Sequence, residues 1–158
     1  MNSETVSDSP HDPTDSDLLR QRLLGAWRLV EGSISNADGE MALRLVNGSL
    51  VYDTSGIASA QVGVASDSPD QALLAEIGAW VGYYGPFSVS EASDQVIHHV
   101  ENSSVAGWIG RDLPRGVRFE GEDTLILSAD VSRQFKAMNG SGEVRWQRVA
   151  SDDRTPAA

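Results

Sequence analysis

The stretch Gln95-Val96-Ile97-His98-His99-Val100-Glu101-Asn102-Ser103 holds the densest set of groups able to move a proton. Two of the chain's three histidines stand there beside one carboxylate. Histidine ionises near neutral pH, so small changes of environment make it a general acid or a general base. The run has the alternation of a strand, in which neighbouring side chains point to opposite faces. Val96, His98 and Val100 then share one face, and Ile97, His99, Glu101 and Ser103 the other. The first face is the more apolar, so His98 is expected to point inward. The opposite register would bury His99 and Glu101 as an acid–base pair. A purely structural histidine, bonded to backbone or to a tyrosine, is the alternative to both, because buried polar groups are normally satisfied. Two rings on opposite faces cannot grip one ion, and with three histidines and no carboxylate cluster no metal is expected.

Further candidates follow from the same alternation. Tyr52 ends a strand at the Asp53 turn and is placed with His98, His99 and Glu101 as an assisting group. Gln61 lies in a strand of small apolar residues (Ala58, Ala60, Val62, Val64), which leaves room for a cavity. Trp27, Trp108 and Trp146 are spaced along β segments, and Trp80 and Tyr84 fall on an expected helix. Aromatic rings offer a ligand apolar area plus a polar tip, though each is equally at home in a core. Trp27, Gln61, Trp80, Tyr84, Trp108 and Arg118 form the expected ligand-binding set. Arg111, Arg115 and Arg118 cluster around one strand, either as surface bases or as an anion anchor at a pocket mouth. Nothing in the sequence around the single lysine, Lys136, indicates the pKa-lowering pocket that Schiff-base chemistry needs.

The elements that must position these residues are mostly short strands. Strands are expected at 26–34, 40–46, 49–52 and 57–64, then at 87–90, 95–102, 107–110, 116–120, 124–128 and 144–149. Asn47-Gly48 has the form of a two-residue hairpin turn. Two helices interrupt the series. Ser16 is expected to cap a short one reaching Leu24 and ended by Gly25. Ser68-Pro69-Asp70-Gln71 forms a capping-box pattern, and Leu73, Leu74, Ile77, Trp80, Val81 and Tyr84 recur at helical spacing up to Gly85-Pro86. That second helix is expected across the mouth or flank of a closed sheet, as a packing element or a lid. Many short strands joined by turn residues indicate an all-β barrel or sandwich.

Composition narrows the function classes. The chain has 158 residues, a formal charge of −11 and no cysteine. That length suits one domain, and the missing cysteine removes disulfides, thiolate metal sites and a thiol nucleophile. The charge is uneven: residues 1–17 carry −5, and residues 18–150, with 16 acids and 11 bases, also carry −5. The expected organisation is a disordered acidic tail at 1–17, one domain at 18–150 and a short disordered tail at 151–158. An acidic domain is a poor partner for phosphate backbones, no apolar run approaches a membrane span, and the first residues lack the features of a secretory signal. The expectation is a cytoplasmic monomer or homodimer with no nucleic-acid or membrane partner. There is no phosphate-binding loop, no dinucleotide fingerprint and no nucleophile elbow, so no cofactor is expected.

The run Leu24-Gly25-Ala26-Trp27-Arg28-Leu29-Val30 resembles the Gly-x-Trp opening of the lipocalin and wider calycin barrels. From about Leu18 to Val149 the chain is similar to the bacterial and fungal lipocalin-like domain family. The landmarks are Leu50-Val51-Tyr52-Asp53-Thr54-Ser55-Gly56, Ser59-Ala60-Gln61, Tyr83-Tyr84-Gly85, His98-His99-Val100-Glu101, Trp108-Ile109-Gly110, Arg118-Phe119 and Leu125-Ile126-Leu127-Ser128. The resemblance implies an antiparallel calycin-type barrel around a ligand cavity. It also implies a small hydrophobic or amphiphilic ligand, many relatives accompanying polyketide or other natural-product pathways. A cofactor-independent isomerase or cyclase with His assistance is the expected activity, and a non-catalytic carrier or sensor is the alternative.

Overall fold

In the computed structural model, residues 14–90, 92, 94–132, 134–135 and 139–150 are described. Apolar alternation from Gly25 onward produces long strands: β1 (Gly25–Asn36), β2 (Met41–Tyr52), β3 (Ile57–Val64) and β4 (Trp80–Val89). They are followed by β5 (Gln95–His99), the two-residue β6 (Asn102–Ser103), β7 (Asp112–Glu120), β8 (Thr124–Asp130) and β9 (Gly140–Arg148). The order β3-β2-β1-β9-β8-β7-β5-β4, with β3 also paired to β4, closes an antiparallel eight-stranded barrel. Closure removes the free edges that an open sheet would expose. β6 lies outside the ring, where Ser103 and Asn102 pair with Tyr83 and Tyr84 of β4.

The helix α1 (Asp15–Leu23) plugs one end of the barrel. Its cap is Thr14 rather than Ser16. The Thr14 hydroxyl accepts from the Asp17 amide at 3.1 Å, and the Asp17 carboxylate accepts from the Thr14 amide at 3.2 Å. This reciprocal box satisfies two orphan donors at once, which a serine two residues later cannot do. Leu19 and Leu23 turn into the barrel, while the Arg20 and Arg22 guanidinium groups lie 4.4 and 3.8 Å from the Phe87 and Phe119 ring centres. Arg148 stacks on Trp27 at 4.2 Å and donates to the carbonyls of Leu24 and Arg22. The expected tails at 1–17 and 151–158 fall largely outside the described residues, and Asp15, Ser16 and Asp17 form the first turn of α1.

Three local expectations are corrected by tertiary pairing. Asn47-Gly48 does not turn the chain, because β2 runs straight through it between β1 and β3, with a register shift at Leu45/Asn47. Ladder bonds to two neighbours outweigh a local turn preference, and a Cβ at Gly48 would meet the Gln61 carbonyl at 2.6 Å. The second helix, α2 (Gln71–Ile77), is far shorter than its apolar spacing suggests. Asp70 caps it, accepting from the Leu73 amide at 3.0 Å, and Gly78 ends it at φ 88°. Ser68 is instead buried, donating to Ala65 O at 2.7 Å. Trp80 to Tyr84 belong to β4, where they close the barrel on β3. Residues 107–110 are likewise not a strand: Ala106–Trp108 form one 3₁₀ turn.

Two packed clusters fill the interior. One, near α1, contains Leu23, Trp27, Leu50, Tyr52, Phe87 and Leu125. The other, beneath α2 and the 3₁₀ turn, contains Leu43, Leu45, Leu73, Ile77, Trp108 and Phe135.

Candidate functional site

Between the clusters the barrel encloses a cavity of about 120 Å³. Its walls are almost wholly apolar: Leu45, Val62 and Val64 on one side, Leu127, Val144 and Trp146 on another, with Ile77, Trp108 and Phe135 towards the mouth. Four lining side chains carry strong polar groups besides the tryptophan N–H donors: Tyr83, His98, Arg115 and Gln134. Few polar groups in an apolar chamber is the usual composition of a small-molecule site. The volume is close to that of an engineered cavity of about 150 Å³ that takes up benzene. A ring-sized group fits, and a larger molecule has to extend through the mouth.

His98 lies at the boundary of the two clusters, on the inward face of β5. It is 2 % exposed. The Tyr52 hydroxyl lies 2.7 Å from its Nε2 and the Tyr83 hydroxyl 2.6 Å from its Nδ1. Alternation explains the grouping: Tyr52 ends β2, Tyr83 sits mid-β4 and Phe87 of β4 pairs with His98, so all three polar tips converge inside the ring. Burial holds the imidazole neutral, lowering its pKa to about 3, and the charges of Arg115 and His99 push the same way. Burial also raises the Tyr52 hydroxyl well above its ordinary value. It raises Tyr83 as well, where the nearby Arg115 charge opposes the rise.

A neutral imidazole has one donor and one acceptor. The Tyr52 hydroxyl is fully buried and His98 is its hydrogen-bond partner. An unused buried O–H costs about 1–3 kcal/mol, so Tyr52 donates to Nε2. The ring proton then resides on Nδ1, and Nδ1–H donates to the Tyr83 oxygen. This assignment follows from satisfying the network, as tautomers generally must. It leaves the Tyr83 O–H free to donate to whatever occupies the cavity, with the Arg115 charge beside its oxygen. The arrangement is a directed chain, Tyr52 to His98 to Tyr83, ending in a donor on the cavity wall.

Arg115 enters from β7. Its Nη1 donates to Gln134 Oε1 at 2.9 Å. Gln134 also fixes Trp108, whose indole N–H donates to the Gln134 carbonyl at 3.0 Å. Trp146 Nε1 is a buried donor with no hydrogen-bond partner among the described residues.

The remaining expected site residues lie elsewhere. His99 faces outward, bonded to Ser88 at 2.8 Å and to Asp112 at 2.8 Å. Glu101 is exposed in a bend after β5, its amide donating to the Tyr84 carbonyl. With His98 inward, the strand's alternation excludes both from the cavity. Gln61 is outward and exposed for the same reason. Trp80 and Tyr84 are exposed because β4, unlike a helix, turns Val81 and Tyr83 inward instead. Arg118 is on the outer face, 3.9 Å from Glu120, while Arg115, three residues earlier, is inside. Trp27 is buried at the plugged end, its indole N–H donating to Leu23 O at 2.9 Å, and does not line the cavity. Of the expected ligand-binding set only Trp108 does. Tyr83, Arg115 and Gln134 complete the site, and strand alternation through 80–89 and 112–120 is the signal that finds the first two.

The lipocalin-like domain family matches residues 24–149. No curated protein matches the chain. Among solved structures, a redesigned β-barrel is similar at 12 % identity and a TM-score of 0.47, covering 84 % of this chain and 96 % of that one. The family match takes in every strand of the barrel, from the Gly-x-Trp opening through the Tyr52–His98–Tyr83 network to β9, and the chain belongs to the lipocalin-like domain family.

Proposed function

We propose that this barrel binds a small apolar or amphiphilic molecule and acts on it as a cofactor-independent isomerase or cyclase of natural-product metabolism. The observation that carries the proposal is the Tyr52–His98–Tyr83 chain, which aims a hydroxyl donor into a mostly apolar cavity. His98 does not itself touch the ligand as an acid or base, because both ring nitrogens are engaged. It orients Tyr83 and supports negative charge on the Tyr83 oxygen. Tyr83 donates to a carbonyl oxygen of the substrate, and any proton it yields leaves a phenolate between Nδ1–H and the Arg115 charge. Passing the charge on to Tyr52 is disfavoured, since burial holds that hydroxyl far above its ordinary pKa.

The lining also selects the type of step. No Asp or Glu lines the cavity among the described residues, so carbon deprotonation lacks a carboxylate base. A ring closure that needs a polarised carbonyl and a compact conformation fits better. Its rate would come from positioning and electrostatic stabilisation.

The test is turnover of a ligand identified by native mass spectrometry of the purified protein, against the uncatalysed rate. Tyr83→Phe is expected to lower kcat by about 10²–10³, as loss of one oxyanion donor does, with binding changed much less. A wild-type rate equal to the uncatalysed one removes the enzyme reading. A carrier or sensor is the second reading. It is favoured by a cavity of only about 120 Å³, small against typical pockets of about 300–1,000 Å³.

A further inference from the structure

The folded domain is acidic, yet the fixed charge on its cavity wall is positive. Arg115 is the charged side chain among the described lining residues. Its hydrogen-bond acceptors are neutral, the Gln134 amide oxygen at 2.9 Å and the Pro114 carbonyl at 3.2 Å. It has no carboxylate partner among the described residues, although Arg44, Arg118, Arg145 and Arg148 each have one. Those four pairs are on the outside of the barrel, where water already screens the charge and pairing contributes little. Arg115 is the case in which a counter-ion matters most, since a guanidinium held against apolar walls loses hydration.

The neighbouring polar groups have the same polarity. The Tyr83 O–H is free to donate, because its oxygen already accepts from His98. Gln134 accepts from Arg115 through Oε1, so the group its side chain has left is a donor, the amide N–H₂. The polar end of the cavity is therefore rich in donors and poor in acceptors, and its ligand must supply acceptors and negative charge.

We infer that the polar end of the cavity is a carboxylate subsite, in which Arg115 forms charge-assisted hydrogen bonds to the acid group of an apolar ligand, leaving the Tyr83 hydroxyl for the ligand's carbonyl. Guanidinium and carboxylate match as two parallel N–H···O bonds, and the apolar body of such an acid would lie against Leu127, Val144 and Ile77. This rests on the cavity being a ligand site, as proposed above, and it narrows the ligand to small organic acids.

The experiment is calorimetric titration of the full chain with octanoate and with 1-octanol. The alcohol is the more hydrophobic probe, so burial alone would favour it. The expected result is octanoate binding about ten- to a hundredfold more tightly, the usual range for hydrogen bonds to a charged group. Arg115→Met should abolish or reverse the preference while 1-octanol still binds, and Arg115→Lys should keep part of it. Equal affinity in the wild type, or an unchanged preference in a folded Arg115→Met, overturns the carboxylate subsite alone. Failure of both probes to bind the wild type overturns the ligand cavity as well. If Arg115→Met loses its circular-dichroism signature, the wild-type ratio and Arg115→Lys decide.

Discussion

The two ends of the barrel interior are built from the same strands and follow opposite rules. At the α1 end, Leu23, Trp27, Leu50, Tyr52 and Leu125 are each at most 1 % exposed. Of the polar atoms there, Trp27 Nε1 is satisfied by the helix itself and the Tyr52 hydroxyl by His98, while Trp146 Nε1 at the cavity wall has no partner among the described residues. At the other end a short α2 and a 3₁₀ turn leave a cavity, and its polar groups bond to one another only in part. His98 is the border, receiving one hydrogen bond from the packed side and giving one to the open side. The contrast shows how one barrel separates stability from recognition: the plugged end holds the ring together, so the open end can keep unspent donors.

The sharpest way to break this comparison is Trp27→Ala. It should cost about 3–5 kcal/mol of stability in urea unfolding, as large aromatic truncations do, while the surviving folded protein keeps its affinity for a cavity ligand. A large loss of affinity would mean the ends are not independent. Acid should probe the border next. The His98 pKa is about 3 when folded and about 6.5 when unfolded. The unfolded chain therefore takes up a proton below pH 6.5 that the native ring refuses. Stability from this group is complete above that pH and falls as pH drops towards 3, by on the order of 4 kcal/mol. Comparing wild type with His98→Gln between pH 7 and 4 isolates it from the carboxylates, and parallel curves would contradict a neutral buried ring.

Tyr52→Phe should cost about 1–3 kcal/mol, because it leaves Nε2 buried without its donor. An unchanged urea midpoint would show that the ring proton can relocate freely. The smallest effect is expected for His99→Ala, within about 1 kcal/mol and without change in ligand binding or turnover. Its pair with Asp112 is exposed, at 37 % and 67 % of the two side chains, and such pairs contribute little. A His99 variant as damaging as a His98 variant would erase the inside–outside distinction on β5.

Much of the ring was legible from residue order. The alternation in 57–64, 116–120 and 124–128 places most of those strands, and the two valines beside His98 indicate its inward direction. The candidate site was legible only in part. Trp80, Val81 and Tyr84 recur at helical spacing, and only the demand of β3 for a partner turns them into a strand. That one difference removes Trp80 and Tyr84 from the cavity and brings Tyr83 in. Arg115 and Arg118 are the same residue type on one strand, so composition cannot separate them. Their faces are set by the register of β7 against β8, where Val117 and Phe119 take the inner positions with Arg115.

What the sequence by itself determined is a series of short strands, a short helix ahead of them and an inward His98. These follow from periodicity, which needs no knowledge of distant partners but leaves barrel and sandwich open; closure into a barrel was implied by the family resemblance. Tertiary structure alone decided which hydroxyls reach that ring, which arginine enters the cavity and that its charge is left without a carboxylate. Tyr52 and His98 are 46 residues apart and meet at 2.7 Å. Such a distance is set by closure of the whole ring, because a one-residue change of register would send either side chain to the opposite face.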